Sequence, residues 1–296
     1  MNQTNSPPCV GLWKDRLLLD GSAVTSFLLC RRRWYIEHVL RRIPATEPQS
    51  LRFGRALHLA LYKQAKGQEL SQEDLTSLAL DFEDDHRNAG LLQVALEQYK
   101  LLDLDLKPLT RDGEPMVEVP FAIPLTETII YCGRIDRIVR LPNGAVAVED
   151  FKTASYDSNT FWRDFEVSVS QIGYCWAVSQ LFKEPVTTNI ITAFFTRKVN
   201  PSWTRKIFFH PESQIEEWRA LVLDVAERML RFMQATPEAA LTAPANPVAC
   251  FGFKFGQCHF YPACEMPDGA SRLNVLHSLG FKQNQWSPLK PDETHL

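Results

Sequence analysis

Asp136, Asp150 and Lys152 are the residues of this 296-residue chain whose types and spacing first suggest chemistry. Between the two acids lies Pro142-Asn143-Gly144. Proline suits the first central position of a type I turn, asparagine the second, and glycine the left-handed position that follows. That sequence describes a three-residue hairpin loop. Leu141 then opposes Ala145 and, counting outward, Asp136 opposes Asp150, with Lys152 next on the same face. A two-residue Asn-Gly turn would shift the count by one and turn the carboxylates to opposite faces. Like charges directly across a ladder repel, and they are tolerated when a cation sits between them. The pair therefore makes a seat for a hard divalent ion, with Lys152 placed to touch a water or a phosphate oxygen. The competing reading is a solvated strand face carrying an ordinary Asp-Lys pair.

The elements that must position these residues follow from periodicity. Met116–Leu125, Thr128–Leu141 and Ala145–Thr153 are rich in β-branched and apolar residues and read as strands. Upstream, helices are expected from Ser22 to about Arg42, with Ser22 as N-cap, from Phe53 to about Gly67, and from Leu91 to Leu104. Ser71 with Asp74 three residues on opens a further helix through an acidic segment. Downstream come a helix from about Phe165 to Leu181, strands Thr188–Thr196 and Thr204–His210, and a long amphipathic helix from Pro211 to about Ala235. The alternation specifies an α/β domain with a mixed, mostly central sheet. Residues 1–8 and the tail after Gln283 read as loosely held, and Pro244–Pro267 as loop-rich.

Composition excludes more than it selects. With 45% hydrophobic and 23% charged residues the chain is a folded one. No apolar run approaches the ~20 residues needed to cross a bilayer, and Met1–Val10 lacks the marks of a signal peptide. A net charge of -3 names no partner, so nucleic acid would have to be met by a local patch. Such a patch exists: residues 1–55 carry nine Lys and Arg against four Asp and Glu, whereas residues 63–118 carry six against thirteen. Seven cysteines without a secretory signal indicate thiols or metal ligands in a reducing compartment, the cytoplasm. No Walker motif is present, so the chain has no ATP motor of its own.

Four short patterns, in order, resemble the RecB-like branch of the PD-(D/E)xK nuclease superfamily. They are Phe53-Gly54-Arg55-Ala56-Leu57-His58, Gly133-Arg134-Ile135-Asp136-Arg137, Glu149-Asp150-Phe151-Lys152-Thr153 and Gln171-Ile172-Gly173-Tyr174. The resemblance implies a restriction-endonuclease-like mixed sheet flanked by helices. It also implies that His58, Asp136 and Asp150 ligate Mg²⁺ or Mn²⁺ together with the Phe151 backbone carbonyl. Lys152 would orient or deprotonate the attacking water. Gln171 and Tyr174, three apart on one helix face, would touch the DNA backbone or brace the site. The implied activity is metal-assisted hydrolysis of DNA phosphodiesters, exonucleolytic on single strands or ends, with little sequence specificity. It would serve recombination or repair, CRISPR adaptation or phage DNA metabolism in a bacterial, archaeal or phage-infected cell, alongside a helicase, recombination or CRISPR partner protein. A DNA-binding protein of the same fold without cleavage is the alternative. Strand alternation turns Glu149 to the other face. Glu118, on the strand before the hairpin, is expected to support the site rather than to ligate.

The cysteines suggest a second centre. Cys250, Cys258 and Cys264 fall within fifteen residues beside His259 and four phenylalanines, among them Phe253 and Phe255, a metal site short of one ligand. The stretch Ser26–Tyr35 resembles the N-terminal cysteine helix of the iron–sulfur members of the same family, the AddB-type helicase-nucleases and the RecB-like nucleases of CRISPR adaptation. That likeness implies a [4Fe–4S] cluster on Cys30, Cys250, Cys258 and Cys264, clasping a helical and loop lobe made by both chain ends. The usual first gap is two residues and here it is seven, which leaves Cys250 the least secure ligand; Zn²⁺ is the alternative metal. Cys132 and Cys175 read as small core hydrophobes, and Cys9 falls in the chain start. The expected division is residues 1–50 as a basic helix, 51–240 as the nuclease core and 241–296 as the cysteine segment and tail. Arg31, Arg32, Arg33 and Arg55 are candidates to neutralise phosphates, and Trp34 and Tyr35 to stack on unpaired bases. The competing use of those arginines is pairing with the acidic residues 81–85.

Overall fold

The computed structural model describes the chain apart from residues 1–10, 14, 47–48, 69, 72, 75–84, 103–105, 198, 252–256, 279, 285–286, 288 and 290–296. The expected loose start, Cys9, most of the helix after Ser71, the acidic residues 81–84, Phe253, Phe255 and most of the tail therefore lie outside the described residues. The chain divides into two compact units: Met1–Thr46, Pro120–Gly133 and Glu216–Leu296 form one, and Glu47–Val119 with Arg134–Ile215 form the other. Both chain ends thus fall in one unit.

The hairpin belongs to the second unit. There the end of strand Ile129–Arg140 pairs antiparallel with Val146–Ala154, which runs parallel to Thr188–Phe195, and that strand pairs antiparallel with Ser202–Phe209. This is a mixed sheet. Val146–Ala154 and Thr188–Phe195 are buried along most of their length, as strands covered on both faces are. Helices Gln49–Ala65 and Asp85–Leu102 supply Phe53, Leu57, Leu61, Leu92 and Leu96 to a core around Phe151 and Phe194. Ile191, Ala193 and Phe195 alternate to the opposite face and meet Trp162 and Phe165. The single helix expected over Phe165–Leu181 is two, Asn159–Glu166 and Val169–Phe182. Each begins at a serine: Ser158 Oγ accepts the Phe161 N–H and Ser168 Oγ that of Gln171.

The turn has the anticipated form. Leu141 N–H donates to the Ala145 carbonyl at 2.8 Å, Gly144 N–H to the Leu141 carbonyl at 2.9 Å, and Gly144 lies at φ +87°. Arg140 pairs with Val146, Ile138 with Val148 and Arg137 with Glu149. One more step in that register sets position 136 opposite position 150.

In the first unit, Arg16–Leu19 pairs antiparallel with Gly11–Trp13 and parallel with the start of Ile129–Arg140. The helix expected from Ser22 to Arg42 is broken. Asp20, not Ser22, caps Gly21–Leu29, accepting the Ala23 N–H at 2.7 Å. Cys30 is extended at φ -160°, then Arg31–Trp34 and a π-helical turn Tyr35–Val39 follow. The Leu29 carbonyl left open by the break accepts from Asn246 Nδ2 at 2.8 Å. Arg42–Pro44 pairs with Phe281–Gln283. The segment read as loop-rich holds the short helices Pro247–Cys250 and Tyr261–Cys264, and Phe260 and Ala263 pack with Ile36, Leu241 and Leu276. No helix among the described residues is long and apolar enough to cross a membrane.

Because Gly144 occupies a left-handed conformation that costs a residue with a Cβ roughly 1–2 kcal/mol, Gly144→Ala is expected to lower unfolding stability by about that amount. Urea denaturation with an unchanged slope would show it; an unchanged midpoint would mean that the turn is not the one described.

Candidate active site

Residues at the open end of the hairpin converge on His58. The helix Gln49–Ala65 that carries it rides close on strand Val146–Ala154, because a Cβ at Gly54 would lie 3.2 Å from Thr153 Oγ1. His58 Nε2 lies 3.0 Å from the Phe151 carbonyl oxygen. Its Nδ1 faces Asp136 Oδ2 at 3.5 Å and Glu118 Oε1 at 3.9 Å. Asp136 Oδ2 also accepts the Phe151 N–H at 2.7 Å. His58, Glu118 and Asp136 each offer a ligand atom, and these atoms lie within 4.8 Å of one another.

Glu118 is the member that sequence reasoning undervalued. It sits in strand Val117–Pro124 at φ +49°, a conformation that costs a residue with a Cβ and recurs where function demands it. Its second oxygen lies 3.7 Å from Arg134 Nη1. Asp150 stands outside the 4.8 Å group: it is almost fully buried and its Oδ2 pairs with Lys152 Nζ, which also donates to the Phe151 carbonyl at 3.2 Å.

Burial raises the Asp136 carboxyl, and Asp150 and Glu118 push it further against the opposing pull of His58 and Lys152, to about 7. Burial disfavours the His58 imidazolium, but Asp136 and Glu118 outweigh it and lift this pKa to about 9. Lys152 loses to burial and gains more from Asp150 and Asp136, so it is raised and stays an ammonium at neutral pH. The cluster thus holds protons that a cation would displace. Two carboxylates, an imidazole and a nearby peptide carbonyl are an oxygen-rich donor set that suits Mg²⁺ or Mn²⁺.

Beneath the site runs a buried polar network. Glu149 Oε1 accepts from Thr192 Oγ1 at 2.5 Å and from Arg205 Nη2 at 3.0 Å, and Oε2 faces Arg137 Nε at 3.3 Å. Arg137 also donates to the Leu106 carbonyl at 2.6 Å and to the Tyr99 hydroxyl. Glu149 points away from Lys152, as alternation requires. Gln171 is buried and accepts from Asn189 Nδ2 at 2.8 Å, which ties helix Val169–Phe182 to strand Thr188–Phe195. Tyr174 is half-buried on the same helix. A cavity of about 410 Å³ opens beside the cluster, with His58, Glu118 and Asp136 in its wall.

In the other unit, the expected base-stacking rings are core residues. Trp34 is fully buried against Phe27 and Phe232, and Tyr35 packs edge-on to Phe232. Neither offers a face to a base, because the helical turn that exposes Arg31 buries its neighbours. Arg32 is spent on the Ala243 carbonyl at 2.6 Å and Arg33 on Glu37 at 2.8 Å. Arg31 and, in the second unit, Arg55 are exposed. Four cysteines of the first unit are neighbours. Burial raises the Cys250 thiol, as do Cys30 and Cys264 beside it. Burial likewise raises Cys258, with Cys264 and Cys250 adding and Arg33 opposing. Cys132 and Cys175 are buried in the cores of their units.

The family described as "PD-(D/E)XK nuclease superfamily" matches residues 21–265. No curated protein matches the chain. Among solved structures it is similar to one titled "Crystal structure of SSO0001", at 13% sequence identity and a TM-score of 0.29, over 70% of this chain and 84% of that one.

The raised pKa values set a pH dependence. Asp136 is protonated below about pH 7 and His58 below about pH 9, and both must lose a proton to ligate. Mn²⁺ affinity should therefore climb most steeply below pH 7, less steeply to pH 9, and level off above it. Calorimetric titrations in buffers of different ionisation heat would count the released protons; a pH-independent affinity would contradict the assignment.

Proposed function

The chain belongs to the PD-(D/E)XK nuclease superfamily, and from that we propose that it is a RecB-like, Mg²⁺- or Mn²⁺-dependent deoxyribonuclease acting exonucleolytically on single-stranded DNA or DNA ends. The observation that carries this reading is the gathering of His58, Glu118 and Asp136 within 4.8 Å beside a cavity, with Lys152 and the Phe151 carbonyl next to them.

His58, Asp136, Glu118 and the Phe151 carbonyl would hold the ion, with Asp150 adjoining them. A bound Mg²⁺ or Mn²⁺ supplies an activated water and neutralises charge on the scissile phosphate. Lys152 enters as an ammonium, so it donates hydrogen bonds to the water and to a phosphate oxygen rather than acting as a free base. Asp150 aims it. Gln171 braces the helix behind, and Arg31 and Arg55 meet backbone phosphates without reading sequence. The setting inferred is the cytoplasm of a bacterial, archaeal or phage-infected cell, in recombination, repair, CRISPR adaptation or phage DNA metabolism, with a helicase or recombination protein as partner.

Cys30, Cys250, Cys258 and Cys264 would hold a [4Fe–4S] cluster. Support comes from the Cys258 N–H donating to the Cys250 carbonyl at 2.9 Å, from Cys30 and Cys264 acting on the Cys250 thiol, and from the extended backbone at Cys30, which interrupts an otherwise helical stretch. Its role would be structural, joining a ligand near one chain end to three near the other.

Purified protein with Mn²⁺ should degrade end-labelled single-stranded DNA and spare a closed circle. Lys152→Ala and Asp136→Asn should each lose at least about 10²-fold in rate; equal degradation by both variants would overturn the cleavage reading. Anaerobically prepared protein should contain iron and acid-labile sulfide, both lost in Cys258→Ser. Stoichiometric zinc in their place would transfer the site to Zn²⁺.

A further inference from the structure

The cavity beside the cluster has a wall that phosphodiester hydrolysis alone does not require. Its near side is one face of helix Gln49–Ala65: Leu61, Tyr62 and Ala65 follow His58 at three, four and seven residues. Pro108 and Val117 continue the apolar lining. Gln64 also lines the cavity, and its carbonyl Oε1 is buried with no hydrogen-bond partner among the described residues. A buried acceptor left unpaired is costly, and it marks where a ligand with a donor edge would gain. Lys107, with an exposed side chain, also lines the cavity.

We propose that this cavity receives a single unpaired nucleobase of the nucleotide next to the scissile phosphate, stacked on Tyr62 with its polar edge toward Gln64. The inference rests on the nuclease reading above and adds to it the group that the enzyme grips. Tyr62 lies one helical turn beyond His58, ~6 Å along the axis, which matches the reach from a nucleotide's phosphate to its own base. At about 410 Å³ the cavity is the size of a pocket for one small organic ligand. A base held in a duplex must first leave its stack to enter such a cavity. Every base has a π-face, so stacking on Tyr62 tolerates any sequence. Gln64 adds only a mild preference for bases carrying an exocyclic amine.

The test places 2-aminopurine, in turn, at each of the three terminal nucleotides of a single strand, bound with Ca²⁺ in place of Mg²⁺. At one position the fluorescence should fall on binding, remain at the free-strand level with Tyr62→Ala, and fall again with Tyr62→Phe, which keeps the ring. In Mn²⁺ cleavage assays, Tyr62→Ala should raise KM about tenfold with kcat little changed, and that difference should vanish on a strand that is abasic at the same position. Quenching by Tyr62→Ala equal to wild type, or loss of quenching in Tyr62→Phe, would overturn the base pocket while wild-type cleavage keeps the nuclease reading intact. A wild-type protein that cleaves no DNA would remove the nuclease reading and this inference with it.

Discussion

Three carboxylates that repel one another are held at one place in this protein, and the fold spends its local resources making that tolerable. Burial raises the Asp136 carboxyl, and Asp150 and Glu118 push it further, to about 7. Without a cation, the compensation comes from within: an imidazolium on His58 and an ammonium on Lys152. Such an arrangement is unfavourable as a structural device, since two apolar residues would serve the core better. It makes sense as a site prepared for an external positive charge, where the protons are placeholders.

Two features of the second unit impose it. The three-residue turn fixes which residues meet across the strands, and the Glu149–Arg137 contact pins that register one step before the acids. Arg137 and Glu149 are directly paired positions, buried, and tied to Arg205, Thr192, Tyr99 and the Leu106 carbonyl. A slip of one residue would strand these charges in the core, a far larger penalty than any relief gained by parting Asp136 from Asp150. The network therefore guarantees the cluster beside it.

How far this was legible depended on the range of the interaction concerned. Turn chemistry is local, so Pro142-Asn143-Gly144 yielded the register and strand alternation placed Glu149 correctly. Glu118 was not legible as a member of the close group, because it arrives through a left-handed residue inside a strand that no alternation anticipates. The break at Cys30 was hidden for a different reason. Its apolar residues keep helical spacing across the interruption, and the compensating partner, Asn246, lies 217 positions away. Trp34 and Tyr35 looked like stacking residues amid arginines, yet the helical turn that displays Arg31 drives both rings against Phe232.

The central claim is that His58, Glu118, Asp136 and the Phe151 carbonyl form one cation site. Anomalous diffraction at the manganese edge, from crystals grown with Mn²⁺, tests it most directly. The account predicts a peak within bonding distance of His58 and Asp136 and in contact with the Phe151 carbonyl. A crystal saturated with Mn²⁺ that shows the peak elsewhere, or leaves His58 still bound to Asp136 with no density between them, would contradict it.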